Sequence, residues 1–308
     1  MTPPATQGTE VQVDVEGRTL TISNLAKVLY PRTGTTKGEV LNYYAQVSPV
    51  LLPHLADRAV TRIRWPHGVE GASFFEKNAP AGTPSWVRTV EVPTTGSRSG
   101  KGDGTIDFPI CDDLATLTWL ANLAALELHV HQWTVEEDGT PRHPDRLVID
   151  LDPGDPAGLH ECAQVALMVR DALAERGLGC TPVTSGSKGL HLYAPMPDKG
   201  DDSLDSDGTT ALAKEVAEAL QKEHPDLVTS VMTKAKRPGK VFLDWSQNSG
   251  SKTTISPYSL RGRERPTAAA PLTWEEVEAG AEDELALEQL TMDQVLERVA
   301  ELGDVFEA

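Results

Sequence analysis

The stretch Arg146-Leu-Val-Ile-Asp150-Leu-Asp152-Pro153-Gly154 constrains this chain more than any other. Three apolar positions, Leu147 to Ile149, lead into two aspartates separated by one residue. Side chains alternate along a strand, so both carboxylates leave the same face at its end, and Pro153-Gly154 turns the chain away. Two parallel carboxylates repel unless a cation lies between them. Mg²⁺ and Mn²⁺ suit such a pair, because they prefer oxygen ligands and keep positions open for water or phosphate. Two turn-forming aspartates after a strand would look the same.

A second apolar strand, Val241-Phe-Leu-Asp244-Trp245-Ser-Gln247-Asn, carries one acid among bulky neighbours. A charge so placed is costly to bury without a partner or a metal. With this strand beside the first, Asp150, Asp152 and Asp244 make the usual protein share of a two-metal phosphoryl-transfer centre; with Lys240 or Arg237 beside it, Asp244 is an ordinary ion pair. Thr184-Ser185-Gly186-Ser187-Lys188-Gly189-Leu190-His191 joins two strands through a turn of small residues around a lysine. Glycines let backbone N–H groups close on an anion, hydroxyls donate, and Lys188 adds a point charge, which makes a triphosphate cradle that is not a Walker A loop. His191, on the next strand, is within reach of the same phosphates or is a structural histidine. His129-Val-His131 lacks a neighbour at zinc-like spacing, so His129 reads as a hydrogen-bonding residue. Phe74 and Phe75 point to opposite sides of a strand, one for the core and one for stacking on a base, or both for the core. Lys27 and Lys37 bracket the loop Tyr30-Pro31-Arg32-Thr33-Gly34-Thr35, either as a phosphate clamp or as two surface lysines.

A formal charge of −18 over 308 residues argues against a general nucleic-acid coat. The mean hides an asymmetry: Ser230 to Arg265 holds eight basic residues against two acidic ones. A field divided in this way focuses anions toward one cleft while the acidic remainder discourages indiscriminate binding. Cys111, Cys162 and Cys180 form no C-x-x-C pair, as expected of a reducing, cytoplasmic compartment. Neither a leader nor a membrane span is expected.

The order of elements predicts a mixed α/β chain. A hairpin is expected at Val11–Val15 and Thr19–Ile22, and Thr36 to Glu39 reads as a capping box opening a helix toward Pro53. Strands at 59–65, 73–76 and 87–92 lead to a polar loop, Thr94 to Gly104, and a helix from about Asp112 to Leu128. The second half predicts strand 147–152, helix 158–177, strands 181–184 and 190–194, helix 209–224 and strand 241–245, and then an acidic, helical tail from Thr273 that closes with a helix at 290–302.

Taken in order, Asn24-Leu-Ala-Lys27-Val-Leu-Tyr-Pro31, Phe74-Phe75-Glu-Lys77, Asp150-Leu-Asp152-Pro-Gly154, Ser185-Gly-Ser-Lys188-Gly-Leu-His191 and Val241 to Lys252 resemble the bacterial primase-polymerases of the archaeo-eukaryotic primase superfamily. The likeness is greatest to the polymerase domain of the end-joining DNA ligase D. It implies a two-lobed fold with mixed, largely antiparallel central sheets flanked by helices. The N-terminal lobe would be about 11–145, the catalytic lobe about 146–270 and the tail 273–308. It also implies that Asp150, Asp152 and Asp244 hold two Mn²⁺ or Mg²⁺ ions. Ser185, Lys188, His129, Arg237, Gln247 and Arg261 would hold an incoming NTP or dNTP. Asn24, Lys27 and Lys37 would take the 5′-phosphate of a gapped or broken duplex, and Phe74 or Phe75 would stack on its template. A preference for ribonucleotides, Ku and a separate DNA ligase as partners, and a place near the nucleoid come with the resemblance. Small or polar residues (Ser185, Ser187, His129, Gln247) around the expected nucleotide pocket agree with that sugar preference.

Three readings compete with end-joining synthesis. A sister group of primase-polymerases fills gaps in excision repair. A non-catalytic DNA-end-binding module would gain nothing from three acids facing phosphates. A phosphohydrolase using an aspartate as nucleophile would need no template.

Overall fold

The computed structural model describes residues 10–94 and 104–306. The body of the polar loop expected from Thr94 to Gly104 lies outside them.

β1 (Glu10–Val15) and β2 (Arg18–Ser23) form the expected hairpin, with Glu16 and Gly17 both at positive φ, 54° and 74°. β3 (Val28–Tyr30) and β4 (Thr35–Thr36) make a second, smaller one. Thr36 caps α1 (Lys37–Leu55) through a capping box with Glu39, and α1 buries Val40, Tyr43, Tyr44, Val47 and Leu51. β5 (Val60–Arg64) and β6 (Phe74–Glu76) follow, then β7 (Thr89–Thr94) paired with β8 (Gly104–Pro109). The helix expected to Leu128 is shorter: α2 (Leu114–Asn122) stops, Ala124 takes φ 58°, and β9 (Ala125–Val130) starts. The strand, Ala-Leu-Glu-Leu-His-Val, is buried on both faces, and its first residues continue the apolar run of α2, which hides the boundary between helix and strand. β10 (Trp133–Val135) and β11 (Pro141–Pro144), absent from the sequence reading, form a third hairpin.

The expected order then holds with small shifts: β12 (Arg146–Pro153), α3 (Leu159–Ala174), β13 (Thr181–Thr184), β14 (Leu190–Pro195), α4 (Ser206–Glu223), β15 (Val228–Thr229) and β16 (Val241–Asp244). β17 (Thr254–Ile255) follows, and the tail contains α5 (Trp274–Glu282) and α6 (Met292–Leu302). No described helix is long and apolar enough to cross a membrane.

Two sheets organise the molecule. One runs β13-β14-β12-β16-β15, antiparallel except where β15 meets β16, and the other runs β17-β9-β5-β6. Leu147, Ile149 and Leu151 of β12 pack with α3, α4 and α5 in one core. The alternate position Val148 packs with Tyr193, Ile255 and Ala269 on the opposite face. By alternation Asp150 and Asp152 share that second face, where apolar cover ends at Val148 and the strand runs into a cleft.

Candidate active site

The sheet register assembles the acidic end of the cleft. Asp150 is the direct antiparallel partner of Asp244 on β16 and of His191 on β14, which puts three polar side chains in one row. Asp152 stands two residues further along β12. Burial, with the charges of Asp150 and Asp244, pushes the Asp152 carboxyl above its ordinary range against the opposing pull of Arg237. His191 Nε2 lies 3.4 Å from Asp150 Oδ1, and Arg237 Nη1 lies 2.9 Å from Asp152 Oδ2. Asp244 accepts from Ser246 and, at 2.8 Å, from Gln247 Nε2.

The turn after β16 is fastened by Asn248, whose side-chain amide both accepts from Val148 N (2.8 Å) and donates to Val148 O (2.7 Å). That pair imitates one more rung of the ladder between β12 and β16, and so sets where Gln247 stands.

The Ser185–Gly189 turn closes the side of the cleft. Gly186 has φ 67°, and a Cβ on Gly189 would sit 1.8 Å from Leu151 O, so only glycine lets the turn lie this close to β12. Ser185 Oγ accepts from the amides of Ser187 (3.2 Å) and Gly189 (3.1 Å), leaving its own proton to donate. Arg261 Nε donates to Ser185 O at 2.7 Å, and its Nη1 lies 3.2 Å from Glu127 Oε2. His129 Nε2 meets the same carboxylate at 2.8 Å. Burial alone would raise Glu127, but the His129 hydrogen bond and the Arg261 charge hold it down at about 2. Burial pushes the His129 imidazole below its ordinary value.

The resulting cleft of about 900 Å³ is lined by Asp150, Asp152, Asp244, Ser185, Lys188, His191, Gln247 and Arg261 from the expected set. His129 and Arg237 are not in the lining: Arg237 pairs with Asp152, and His129 connects to Arg261 through Glu127, which is itself outside the lining. Arg32, Arg263, Arg265 and Thr267 line it without having been singled out. Arg263 and Arg265 showed in the sequence only as part of a charge run, and Arg32 had no signal beyond its loop. The lining contains no Phe, Tyr or Trp; Tyr193 and Phe242 are buried in the sheet.

Among the described residues, no group of three or more His, Cys, Asp or Glu side chains is poised to hold a metal ion. Asp152 is turned onto Arg237, and Asp244 onto Ser246 and Gln247. The donor chemistry does fit a hard divalent ion: three carboxylates in adjacent register on one face, with mutual repulsion visible at Asp152.

A second, smaller cavity of about 250 Å³ gathers Asn24, Lys27 and Lys37 with Arg64 and His67. Lys37 is no surface lysine. It is buried, and its Nζ donates to Ser23 O and Asn122 Oδ1, each at 2.6 Å. Burial and the Lys27 charge pull its ammonium down to about 8. The expectation that one of Phe74 and Phe75 packs in the core is overturned: both are exposed, 47% and 60%. β6 is the edge strand of its sheet, and nothing described covers either ring.

With this geometry in hand, comparison with known proteins is decisive. A family model described as "LigD, primase-polymerase domain" matches residues 36–306. This chain belongs to that family. Primase-polymerase domains of ligase D are metal-dependent nucleotidyltransferases, and this one is 52% identical over 94% of its length to the multifunctional non-homologous end joining DNA repair protein LigD of Mycobacterium tuberculosis. It is 34% identical over 93% of its length to the bifunctional LigD of Bacillus subtilis. The chain spans 36% and 43% of those two relatives. A solved structure, the polymerase domain of M. tuberculosis ligase D in complex with DNA, superposes with a TM-score of 0.84 at 51% identity, covering 93% of this chain and 96% of that one.

Proposed function

We propose that this ligase D-type domain is a template-dependent polymerase that adds nucleotides, ribonucleotides by preference, to DNA at gaps and broken ends during end joining. The observation that carries the reading is the register that lines up Asp150, Asp244 and His191 in a cleft shared with the Ser185–Gly189 turn and Arg261. Asp150, Asp152 and Asp244 are the residues that would hold two divalent ions, Mn²⁺ or Mg²⁺. Bound there, such ions lower the pKa of an attacking hydroxyl and neutralise charge on leaving pyrophosphate.

The chain's own groups do the rest. Ser185, Lys188 and Arg261 bind and orient the triphosphate, His191 donates beside Asp150, and Gln247 holds Asp244 in place. His129 and Arg237 act through Glu127 and Asp152. The cavity of Asn24, Lys27 and Lys37 fits the 5′-phosphate across a gap, and the uncovered rings of Phe74 and Phe75 fit stacking on template bases. The chain is read as one catalytic unit of two lobes, about 11–145 and 146–270, with the helical tail 273–308. Ku and a separate ligase as partners, and a cytoplasmic place at the nucleoid, follow from the end-joining reading.

Primer extension on a gapped duplex with Mn²⁺ tests the proposal. A cleft free of aromatic residues has no steric gate against a 2′-hydroxyl, and one hydrogen bond to that group favours ribonucleotides by roughly 1 to 2 kcal/mol, about ten-fold or more. Equal incorporation of matched ribo- and deoxyribonucleotides would remove the sugar preference, and absence of extension would remove the polymerase reading.

A further inference from the structure

At the outer end of the cleft, Arg32 and Glu264 form an ion pair across the mouth. They come from distant parts of the chain: Arg32 from the loop between β3 and β4, Glu264 from the basic segment after β17. Both side chains are mostly exposed, 63% and 76%. Their loop is nevertheless held in place. Tyr30 is fully buried and donates its hydroxyl to Arg261 O at 2.8 Å, while the amides of Thr33 and Gly34 return to Tyr30 O at 3.2 and 2.9 Å. The backbone carrying Arg32 is therefore fastened to the same residue that braces the Ser185 turn.

An exposed ion pair contributes only about 0 to 1 kcal/mol. A phosphate offers more charge and more acceptor oxygens than a carboxylate, in a geometry that a guanidinium fork matches. The cleft is also polarised. Asp150, Asp152 and Asp244 come from the central strands β12 and β16, whereas Arg32, Arg261, Arg263 and Arg265 come from the β3–β4 loop and the segment after β17, and all of them line the cleft. A nucleoside triphosphate whose reacting phosphate lies at the aspartates extends its terminal phosphate toward the arginines.

We propose that Arg32 exchanges Glu264 for the terminal phosphate of the incoming nucleotide and so determines selection of triphosphate over diphosphate. Glu264 is the placeholder that keeps the guanidinium at the mouth between turnovers. The inference rests on the polymerase reading above and adds to it a specificity residue from outside the catalytic sheet.

Equilibrium binding to the full chain with Mn²⁺ tests it, using an α,β-methylene nucleoside triphosphate and the corresponding diphosphate as probes. Arg32→Ala is expected to weaken the triphosphate about ten-fold and the diphosphate less than about two-fold, the loss expected of one charge-assisted contact. Arg32→Lys should fall between, since a point charge replaces a fork. Glu264→Gln should tighten the triphosphate by about two- to three-fold, because the competing carboxylate charge is gone. Equal losses for both probes in Arg32→Ala, or no tightening in Glu264→Gln, would overturn the assignment. A parent protein that binds neither probe and extends no primer overturns the polymerase reading itself, and this inference with it.

Discussion

Asp152 carries the clearest electrostatic signature of the site. Its carboxyl is raised by burial and by Asp150 and Asp244, so in the window above its unfolded value the folded state holds more protons. Stability contributed by this group is therefore lost as pH rises through that window. Asp150→Ala or Asp152→Ala should relieve repulsion rather than remove support. Thermal unfolding at neutral pH is expected to show no loss of stability, while primer extension falls by about 100-fold or more because a proposed ligand for the ions is gone. Retained extension in either variant would refute the carboxylate assignment. Lys37 gives the opposite sign at the other site. With its ammonium lowered from 10.5 to about 8, the charged form costs the folded state, and that cost diminishes as pH rises above 8. The charge that would attract a 5′-phosphate in the proposed contact disappears over the same range. The preference for a gapped duplex bearing a 5′-phosphate over one lacking it should therefore shrink between about pH 7 and about pH 9, a change that binding titrations on the two duplexes would detect. A preference constant across that range would exclude Lys37 from the contact.

At the scale of elements, β12 does most to build the site, because it alone pairs with both β14 and β16 and so aligns acids that lie nearly a hundred residues apart. Its close contact with the Ser185–Gly189 turn depends on a missing side chain. In Gly189→Ala the new methyl would meet Leu151 O at 1.8 Å, and the clash is with backbone, which cannot swing aside. Destabilisation of about 2 to 3 kcal/mol or more is expected from such overpacking, together with weakened triphosphate binding as β14 is forced from β12. Chemical denaturation of the variant checks this, and a midpoint equal to the parent's would show that the turn relaxes freely. The exposed rings on β6 make the reverse case: an edge strand keeps two aromatics out of the core, where they add nothing to packing and remain available for a ligand.

For the whole molecule, a charge of −18 means that, on the proposed polymerase reading, DNA would be held by a few local cations against a repelling surround. Affinity for gapped DNA should fall steeply with salt, with log K against log salt sloping about −0.9 for each phosphate neutralised. Lys27, Lys37 and Arg64 line one cavity; a slope of about −3 or steeper is therefore expected, and Lys27→Ala should flatten it by about 1. A slope near zero in the parent would place DNA binding elsewhere.

What the residues determined by themselves was local. The D-x-D at a strand end, the capping box of α1, the first hairpin and the glycine-serine turn were all legible because each rests on neighbours within a few positions, through alternation, capping or turn chemistry. The ordered motifs also carried the family. Tertiary structure decided what no local period encodes. It set the pairing of Asp150 with both Asp244 and His191, the burial of Lys37, the exposure of both Phe74 and Phe75, the early end of α2 and the meeting of Arg32 with Glu264. Each depends on which distant segment lies alongside, and sheet register and burial follow from packing across the whole chain rather than from the preferences of any one stretch.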